Sequence, residues 1–222
     1  MTILAMPKVH GDRAIEGVMA KWYAANTGEM MHEYEELAER VRGELREGSE
    51  VLEVAPGPGY FCIELAKRGR YAITGLDISH TFVKMAAEKA REAGVKVEFR
   101  QGSASKMPLA SESFDFLLCR AAFKNFADPV GALREMRRVL KPGGQGVLID
   151  LRRDATQQGI EGYVNGLKLS RVNRWMTMAV FKKFLVKSAY TRVEFERMLA
   201  QAGWDRVEIA EEEIGLEVRM EK

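Results

Sequence analysis

A regular alternation of strand-like and helix-like segments between residues 50 and 150 is the feature that most restricts how this chain can fold. Short apolar runs predict strands, and longer amphipathic runs predict helices. The predicted strands are 50–55, 71–77, 95–101, 114–119 and 146–150, and the predicted helices are 60–68, 79–93 and 129–140. Strands joined through helices pair in parallel by right-handed crossovers. The pattern therefore predicts an open, doubly wound α/β sheet whose ligand lies at the carboxyl ends of the strands.

The two ends of the chain add to this core, and we expect a single domain over residues 1–222. Charged residues of helical pattern, interrupted by Asn26-Thr27-Gly28, predict an N-terminal helical cover over 1–48. The core at 49–150 is followed by a segment at 151–190 that breaks the alternation, which we interpret as a helical lid insertion. Residues 191–222 then supply the last helix and two strand-like runs, 204–210 and 214–220. Their close spacing predicts an antiparallel terminal hairpin, which makes the sheet seven-stranded and mostly parallel.

Composition narrows the class of protein. The chain has 222 residues, 46% of them apolar, enough for one full core. Thirty-four basic residues nearly balance 32 acidic ones, so no nucleic-acid partner is expected. No run approaches the roughly 20 apolar residues of a membrane span, and we expect no stable membrane insertion. The two cysteines lack metal or disulfide spacing and no cleavable leader is evident, so we expect a cytoplasmic location.

The turn after the first predicted strand, residues 53–59, reads Glu-Val-Ala-Pro-Gly-Pro-Gly. Glycine lets the backbone pass close to a ligand, and the amides that open the next helix attract a negative group. Asp77 ends the second predicted strand, where a carboxylate can accept hydrogen bonds from both hydroxyls of a ribose. Alternatively, Asp77 caps the helix that begins near Ser79. Together, the turn and the carboxylate predict an adenosine-type ligand.

A nicotinamide dinucleotide is the competing ligand. Its Gly-x-Gly-x-x-Gly fingerprint has a third glycine for close helix packing, and Cys62 stands at that position. This substitution disfavours an NAD(P)-binding oxidoreductase without removing it as an alternative. A catalytically silent binding protein of the same fold is the other alternative.

Four stretches in order, 51–59, 75–79, 102–115 and 132–144, resemble the class I S-adenosylmethionine-dependent methyltransferases. The resemblance is strongest to the ubiquinone and menaquinone biosynthesis methyltransferases. It implies a Rossmann-like fold, S-adenosyl-L-methionine as cofactor and S-adenosyl-L-homocysteine as product. It also implies transfer of a methyl group to an oxygen, nitrogen, sulfur or carbon atom of a small-molecule acceptor.

The same resemblance implies roles for individual residues. Glu53 and the following turn would surround the methionine portion, and Asp77 would take the ribose. Ile78 would pack on the adenine, the Ser103-Ala104 pair would meet its polar edge, and Arg120 would contact the amino-acid end. The implied cofactor-binding residues are Glu53, Ala55, Pro56, Gly57, Gly59, Asp77, Ile78, Ser103, Ala104 and Arg120.

Three departures limit these roles. Ala55 and Pro56 replace a glycine and another small residue, so we expect a stiffer turn. Ser103 replaces an acidic residue, so we expect a weaker adenine contact. Phe123-Lys124-Asn125-Phe126 stands where a histidine is common, and no catalytic residue is assigned. In-line positioning of acceptor and methyl group can supply much of the rate without a dedicated base.

Other reactive side chains have simpler interpretations. Cys119 ends a predicted strand and is expected to be a small core residue rather than a nucleophile. No metal site is expected, because the three histidines are scattered, at His10, His32 and His80. Three tyrosines are expected either to pack helices or to line the acceptor pocket: Tyr23, Tyr34 and Tyr163.

The predicted lid is basic between Gly162 and Val193, with seven basic residues and no acidic ones. These are Lys168, Arg171, Arg174, Lys182, Lys183, Lys187 and Arg192. Apolar residues alternate with them at helical spacing. The pattern is typical of a solvated basic face over a core-facing stripe. The alternative is a lid that selects an anionic or hydrophobic acceptor or rests on a membrane surface.

Overall fold

The computed structural model describes residues 14–27, 31–166, 178 and 186–222. The strands are β1 (Glu50–Val54), β2 (Ala72–Asp77), β3 (Glu98–Gln101), β4 (Phe114–Arg120), β5 (Leu140–Leu151), β6 (Arg206–Glu211) and β7 (Gly215–Glu221). The described helices are α1 (Gly17–Thr27), α2 (Met31–Arg42), α3 (Tyr60–Ala66), α4 (His80–Glu92), α5 (Pro129–Val139), α6 (Gln157–Gly166) and α7 (Arg192–Gln201). Short helical turns occur at Phe123–Asn125 and Val186–Ser188.

The seven strands form one sheet in the order β3-β2-β1-β4-β5-β7-β6. The first five strands in this order are parallel to their neighbours, and β7 runs antiparallel to both β5 and β6. Helices connect β1 to β2, β2 to β3 and β4 to β5, and a loop at 102–113 connects β3 to β4. Only a short turn separates β6 from β7, as an antiparallel hairpin requires. The predicted doubly wound, mostly parallel sheet with a terminal antiparallel hairpin is confirmed.

Strand β5 begins at Leu140, earlier than the predicted start at residue 146. The Lys-Pro-Gly-Gly stretch at 141–144, which follows the predicted helix at 129–140, lies within the strand as an irregular segment. Leu140 pairs with Phe114, and the register shifts before Gln145 pairs with Phe116. Gly143 takes a φ of 76°, and its N–H donates to the Lys222 carbonyl at 2.7 Å. Pairing with both neighbouring strands therefore overrides the local turn preference of Pro and Gly.

Helix starts in the core are fixed by polar side chains. Ser79 precedes α4, and its hydroxyl accepts a hydrogen bond from the Phe82 N–H at 3.1 Å. Asp128 caps α5 in the same way. Thr191 and Glu194 form a reciprocal capping box at the start of α7. These caps satisfy N–H groups that the first turn of a helix leaves without partners, and they fix where each crossover helix begins.

Apolar side chains cover both faces of the sheet. In β1, Leu52 and Val54 belong to one buried cluster and Val51 belongs to the other. Alternation along a strand sends side chains to opposite faces, so β1, which is buried on both sides, carries apolar residues toward each face. The first cluster packs against α5 and α7, and the second against α2 and α3. The strands that lead to the carboxyl-end edge are therefore packed against helices on both faces.

Residues 167–177 and 179–185 of the predicted lid lie outside the described residues. Of the seven basic residues noted between Gly162 and Val193, five fall there: Lys168, Arg171, Arg174, Lys182 and Lys183. The other two, Lys187 and Arg192, are exposed, and Arg192 pairs with Glu196. Among the helices described, none is long and apolar enough to cross a membrane.

Gly59 provides a test of how tightly the first turn packs against its neighbours. Gly59 and Gly94 both have left-handed φ values, 79° and 69°. A Cβ on Gly59 would come within 2.8 Å of both Ala86 and Phe99, whereas a Cβ on Gly94 would meet nothing within 4 Å. We expect Gly94→Ala to cost about 1 kcal/mol of unfolding free energy. Gly59→Ala should cost a further 1–3 kcal/mol or so from overpacking, measured by urea unfolding. Equal losses would show that the packing around Gly59 is loose.

Candidate active site

The ends of three neighbouring strands place polar side chains at one edge of the sheet. In the parallel register, Val54 of β1 lies opposite Leu76 of β2 and Cys119 of β4. Asp77 and Arg120 follow directly, as the last residues of their strands. The topology therefore brings Glu53, Asp77 and Arg120 to the same carboxyl-end edge.

The turn from Ala55 to Gly59 has left-handed backbone at alternate positions. The φ values are 57° at Ala55, 54° at Gly57 and 79° at Gly59. Ala55 adopts this conformation although it is not glycine, at a cost of about 1–2 kcal/mol. Its N–H donates to the Leu76 carbonyl at 2.8 Å, which ties the turn to β2.

The Asp77 carboxylate is buried and joins the ends of β1 and β2. One oxygen accepts a hydrogen bond from the Gly57 N–H at 2.9 Å, and the other accepts from the Ser79 N–H at 2.8 Å. Burial raises the pKa of Asp77, and the two N–H donors act in the opposite direction by stabilising the ionised form. The cap of α4 is the Ser79 side chain. Asp77 therefore holds the turn rather than capping the helix itself.

Glu53 is the second buried carboxyl group of this edge. The Cys62 thiol on α3 donates a hydrogen bond to its Oε2 at 2.9 Å. Burial raises the pKa of Glu53 to about 7, against the opposing effects of the Cys62 hydrogen bond and the positive charge of Arg120. Cys62, which stands where a dinucleotide fingerprint has its third glycine, thus contacts the buried acid one residue before the end of β1.

The remaining predicted residues lie beside Asp77. The Gly102 N–H donates to the Asp77 carbonyl at 2.9 Å, so the loops after β2 and β3 are adjacent. Ile78, Ser103 and Ala104 on these loops are half-buried. The Ser103 hydroxyl hydrogen-bonds within its own loop. This backbone contact therefore places the loop that carries Ser103 and Ala104 next to the end of β2, where Ile78 follows Asp77.

Arg120 is placed at the edge, but its partners come from the N-terminal cover. Its guanidinium lies 4.5 Å from the centre of the Tyr34 ring and forms an ion pair with the Glu33 carboxylate. Both partners belong to α2. Tyr34 also packs against Tyr60, with 5.4 Å between ring centres. Tyr34 thus stacks at the edge of the site as well as between helices.

A buried ion pair, missed in the sequence analysis, lies at the ends of β4 and β5. The Lys124 Nζ lies 2.8 Å from one Asp150 oxygen, and the Lys124 backbone N–H donates to the other at 2.9 Å. The Lys124 ammonium also donates to the Ala121 carbonyl. Two sequence signals were available: a lysine within an apolar stretch, and an acid near the end of the fifth strand. The topology makes these positions neighbours.

A second contact that no sequence motif predicts is the set of hydrogen bonds between Glu16 and the start of α4. The Glu16 carboxylate accepts hydrogen bonds from the His80 N–H at 2.9 Å and the Thr81 N–H at 3.0 Å, and a further one from the Thr81 hydroxyl. The Ser79 hydroxyl donates to the Ile15 carbonyl at 2.6 Å. The segment before α1 is therefore fastened beside Asp77.

Tyr23 on α1 lies over the turn. Its ring packs edge-on against Phe82, with 5.7 Å between centres, and its Cε1 would lie 3.9 Å from a Cβ on Gly57. Burial raises the pKa of Tyr23, and four charged side chains also act on it: Lys124, Arg120, Asp150 and Asp77. Tyr163 on α6 has its pKa raised by burial and responds to Glu33 and Arg120. Helices α1, α2 and α6 thus converge on the edge.

Cys119 is fully buried, and burial raises the pKa of its thiol well above the ordinary value. This favours the core-residue interpretation over a nucleophile, because the thiolate is the reactive form. In the part of the chain that the structure describes, no three potential metal ligands are clustered.

Comparisons with known proteins point to one kind of domain. Residues 52–148 match the family described as "Methyltransferase domain". A demethylmenaquinone methyltransferase of Deinococcus radiodurans is 41% identical over 101 residues, 45% of this chain and 42% of that protein. One from Listeria welshimeri is 35% identical over 147 residues, 65% of this chain and 59% of that protein. The chain thus spans about half the length of these relatives.

A solved structure extends the match beyond the aligned sequence. The S-adenosylmethionine-dependent methyltransferase of Aquifex aeolicus has a TM-score of 0.64 and 25% identity. The match covers 83% of this chain and 88% of that one. Residues 52–148 therefore match a methyltransferase domain, and the chain resembles class I S-adenosylmethionine-dependent methyltransferases in fold and sequence, the demethylmenaquinone group among them.

Proposed function

We propose that this chain transfers a methyl group from S-adenosylmethionine to a small-molecule acceptor at the edge formed by β1, β2 and β4. The observation that carries the proposal is the position of Glu53 and Asp77. Both carboxyl groups are buried beside one left-handed turn: Glu53 precedes it in sequence, and Asp77 accepts a hydrogen bond from the Gly57 N–H within it. Among the described residues, no basic side chain lies within ion-pairing distance of either. Buried acids without a cationic partner are costly, and a cationic ligand relieves that cost.

The donor and acceptor groups present fit the cofactor's chemistry. Each Asp77 oxygen accepts one backbone N–H and retains a lone pair for a ribose hydroxyl. Glu53 suits the positively charged amino group and sulfonium of the methionine portion. Ile78, Ser103 and Ala104 then flank the adenine. A sulfonium supplies the electrophilic methyl group.

The rest of the turn and the loop after β4 complete the proposed site. Ala55, Pro56, Gly57 and Gly59 would follow the methionine portion with their backbone, and Arg120 would bind its carboxylate. Such positioning accelerates a displacement by holding the acceptor in line with the methyl group. Tyr23 and Tyr163, from α1 and α6, are placed to shield that step from water.

The relatives guide the choice of acceptor. Two of them are named for demethylmenaquinone, so we propose a hydrophobic small molecule of quinone type rather than a nucleic acid. We further propose that 1–48, 49–150, 151–190 and 191–222 act as cover, cofactor-binding core, lid and closing hairpin of a single domain. The predicted cytoplasmic location is part of the same proposal.

An oxidoreductase is disfavoured by the sheet. The classic dinucleotide-binding order is 3-2-1-4-5-6. Here β7 stands antiparallel between β5 and β6. A catalytically silent protein of the same fold would fail to transfer a methyl group, so a methyl-transfer assay distinguishes it from an enzyme.

Asp77→Asn should weaken S-adenosylhomocysteine binding by roughly 10–100-fold, because a charged hydrogen-bond acceptor contributes about 1.5–3 kcal/mol. Isothermal titration calorimetry measures this loss. The variant should also lose the preference for S-adenosylhomocysteine over its 2′-deoxy analogue. Asp115→Asn, which removes a carboxylate on β4 that pairs with Lys141, is the control and should bind normally. Unchanged affinity in a folded Asp77→Asn protein would contradict the ribose assignment.

Incubation with methyl-labelled S-adenosylmethionine and a demethylmenaquinol should yield a labelled acceptor and S-adenosylhomocysteine, detected by mass spectrometry. If that acceptor stays unlabelled, a cell extract takes its place, and a labelled small molecule would still support the proposal. Binding of cofactor without label transfer to any acceptor would instead support the silent-protein alternative.

The raised pKa of Glu53 predicts a pH dependence of stability. The folded value of about 7 lies above the ordinary 4.5, so protonated Glu53 stabilises the fold fully below pH 4.5. That stability is lost as the pH rises through about 7, by approximately 3 kcal/mol. Because a cationic ligand favours ionised Glu53, cofactor affinity should rise over the same range. Urea unfolding and calorimetry at pH 5 and pH 8 measure both effects, and Glu53→Gln should flatten them. Identical pH profiles for the variant and the original protein would rule this out.

A further inference from the structure

We propose that Glu33 is an internal competitor for Arg120: its carboxylate holds the guanidinium that binds the carboxylate of the cofactor's methionine end, and cofactor entry exchanges one for the other. This inference rests on the function proposed above. It adds a residue of the cover, outside the turn and strand ends, that sets cofactor affinity.

Arg120 is a fixed cation. It ends a buried strand, and the next residue, Ala121, donates its N–H to the Ile149 carbonyl at 2.7 Å. The guanidinium lies against the Tyr34 ring, and its side chain is 17% exposed. Arginine keeps its charge at all ordinary pH values, so a guanidinium this enclosed needs an anion. The Glu33 carboxylate is the anion that it holds in this structure.

Glu33 can leave this ion pair more easily than Arg120 can, because its side chain is more exposed to water. Its side chain is 37% exposed and lies in the first turn of α2. A carboxylate in the first turn of a helix is stabilised by the helix dipole as well as by water. Breaking a partly exposed ion pair costs little when both charges find other partners. The exchange is therefore inexpensive once another carboxylate reaches Arg120.

The side chains around Arg120 favour the carboxylate of an amino-acid group as the anion that replaces Glu33. Glu53 lies opposite Leu118 on the neighbouring strand, two residues before Arg120, so the acid and the arginine belong to adjacent strand ends, and the positive charge of Arg120 acts to lower the pKa of Glu53. A ligand beside this pair is best matched by an ammonium and a carboxylate on the same carbon atom. The methionine end of the proposed cofactor has this zwitterionic arrangement.

Two ligands that share a nucleoside separate this inference from a general effect of charge. S-adenosylhomocysteine carries the amino-acid end, whereas 5′-methylthioadenosine has the same adenine, ribose and thioether without it. Glu33→Gln should bind S-adenosylhomocysteine about three- to tenfold more tightly and leave 5′-methylthioadenosine affinity unchanged. Arg120→Gln should weaken binding of the first ligand only. Calorimetry measures all the dissociation constants.

Glu36→Gln is the matched control, because it removes the same charge from an exposed position of α2. It should leave both affinities as they are, and thermal melts of all three variants should show that they fold. Equal changes for both ligands in Glu33→Gln, or no change for either, would overturn the inference while leaving the proposed function intact. Failure of the original protein to bind either ligand would overturn the proposed function itself.

Discussion

The Asp77 carboxylate is the constraint on which the geometry of the edge depends. Its two oxygens accept N–H groups from the β1 turn and from the start of α4, which belong to different crossovers. This bridge acts together with the hydrogen bond from the Ala55 N–H to the Leu76 carbonyl and with the packing of Gly59, which also hold the turn at 55–59. In the proposed function, the same carboxylate would accept the ribose hydroxyls. One buried acid thus joins two crossovers and, in that proposal, also contacts the ligand.

The charged side chains near Asp77 differ in whether they have a partner of opposite charge. Lys124 forms a buried ion pair with Asp150 at the ends of β4 and β5. Arg120 forms an ion pair with Glu33 of α2. Among the described residues, Glu53 has the Cys62 thiol as a hydrogen-bond donor and no ion-pair partner, and burial raises its pKa to about 7. In the proposed function, a cationic ligand would favour ionised Glu53, and the cofactor's carboxylate would replace Glu33 as the partner of Arg120.

Sequence reasoning succeeded where structure follows from local pattern. The strand at 50–54 and the turn after it could be predicted because apolar runs and glycine spacing act over a few residues. The parallel order of strands then placed Asp77, Ile78 and Arg120 at one edge without further information. Sequence reasoning could not predict the partner of Arg120, because Glu33 lies 87 residues away in sequence. The packing of α2 on α3 brings the two residues together. The hold of Glu16 on α4 spans 64 and 65 residues and has the same origin. The start of β5 was missed because pairing with β4 and β7 outweighs the turn preference of its Pro-Gly-Gly stretch.

The central claim is that Glu53, one residue before the end of β1, and Asp77, at the end of β2, together bind one nucleoside ligand with an amino-acid end. A crystal structure of the protein with S-adenosylhomocysteine tests it most directly. The account predicts ribose hydroxyls within hydrogen-bonding distance of the Asp77 carboxylate and the ligand's ammonium beside Glu53. A ligand bound elsewhere, or bound in this crevice with its ribose directed away from Asp77, would contradict it.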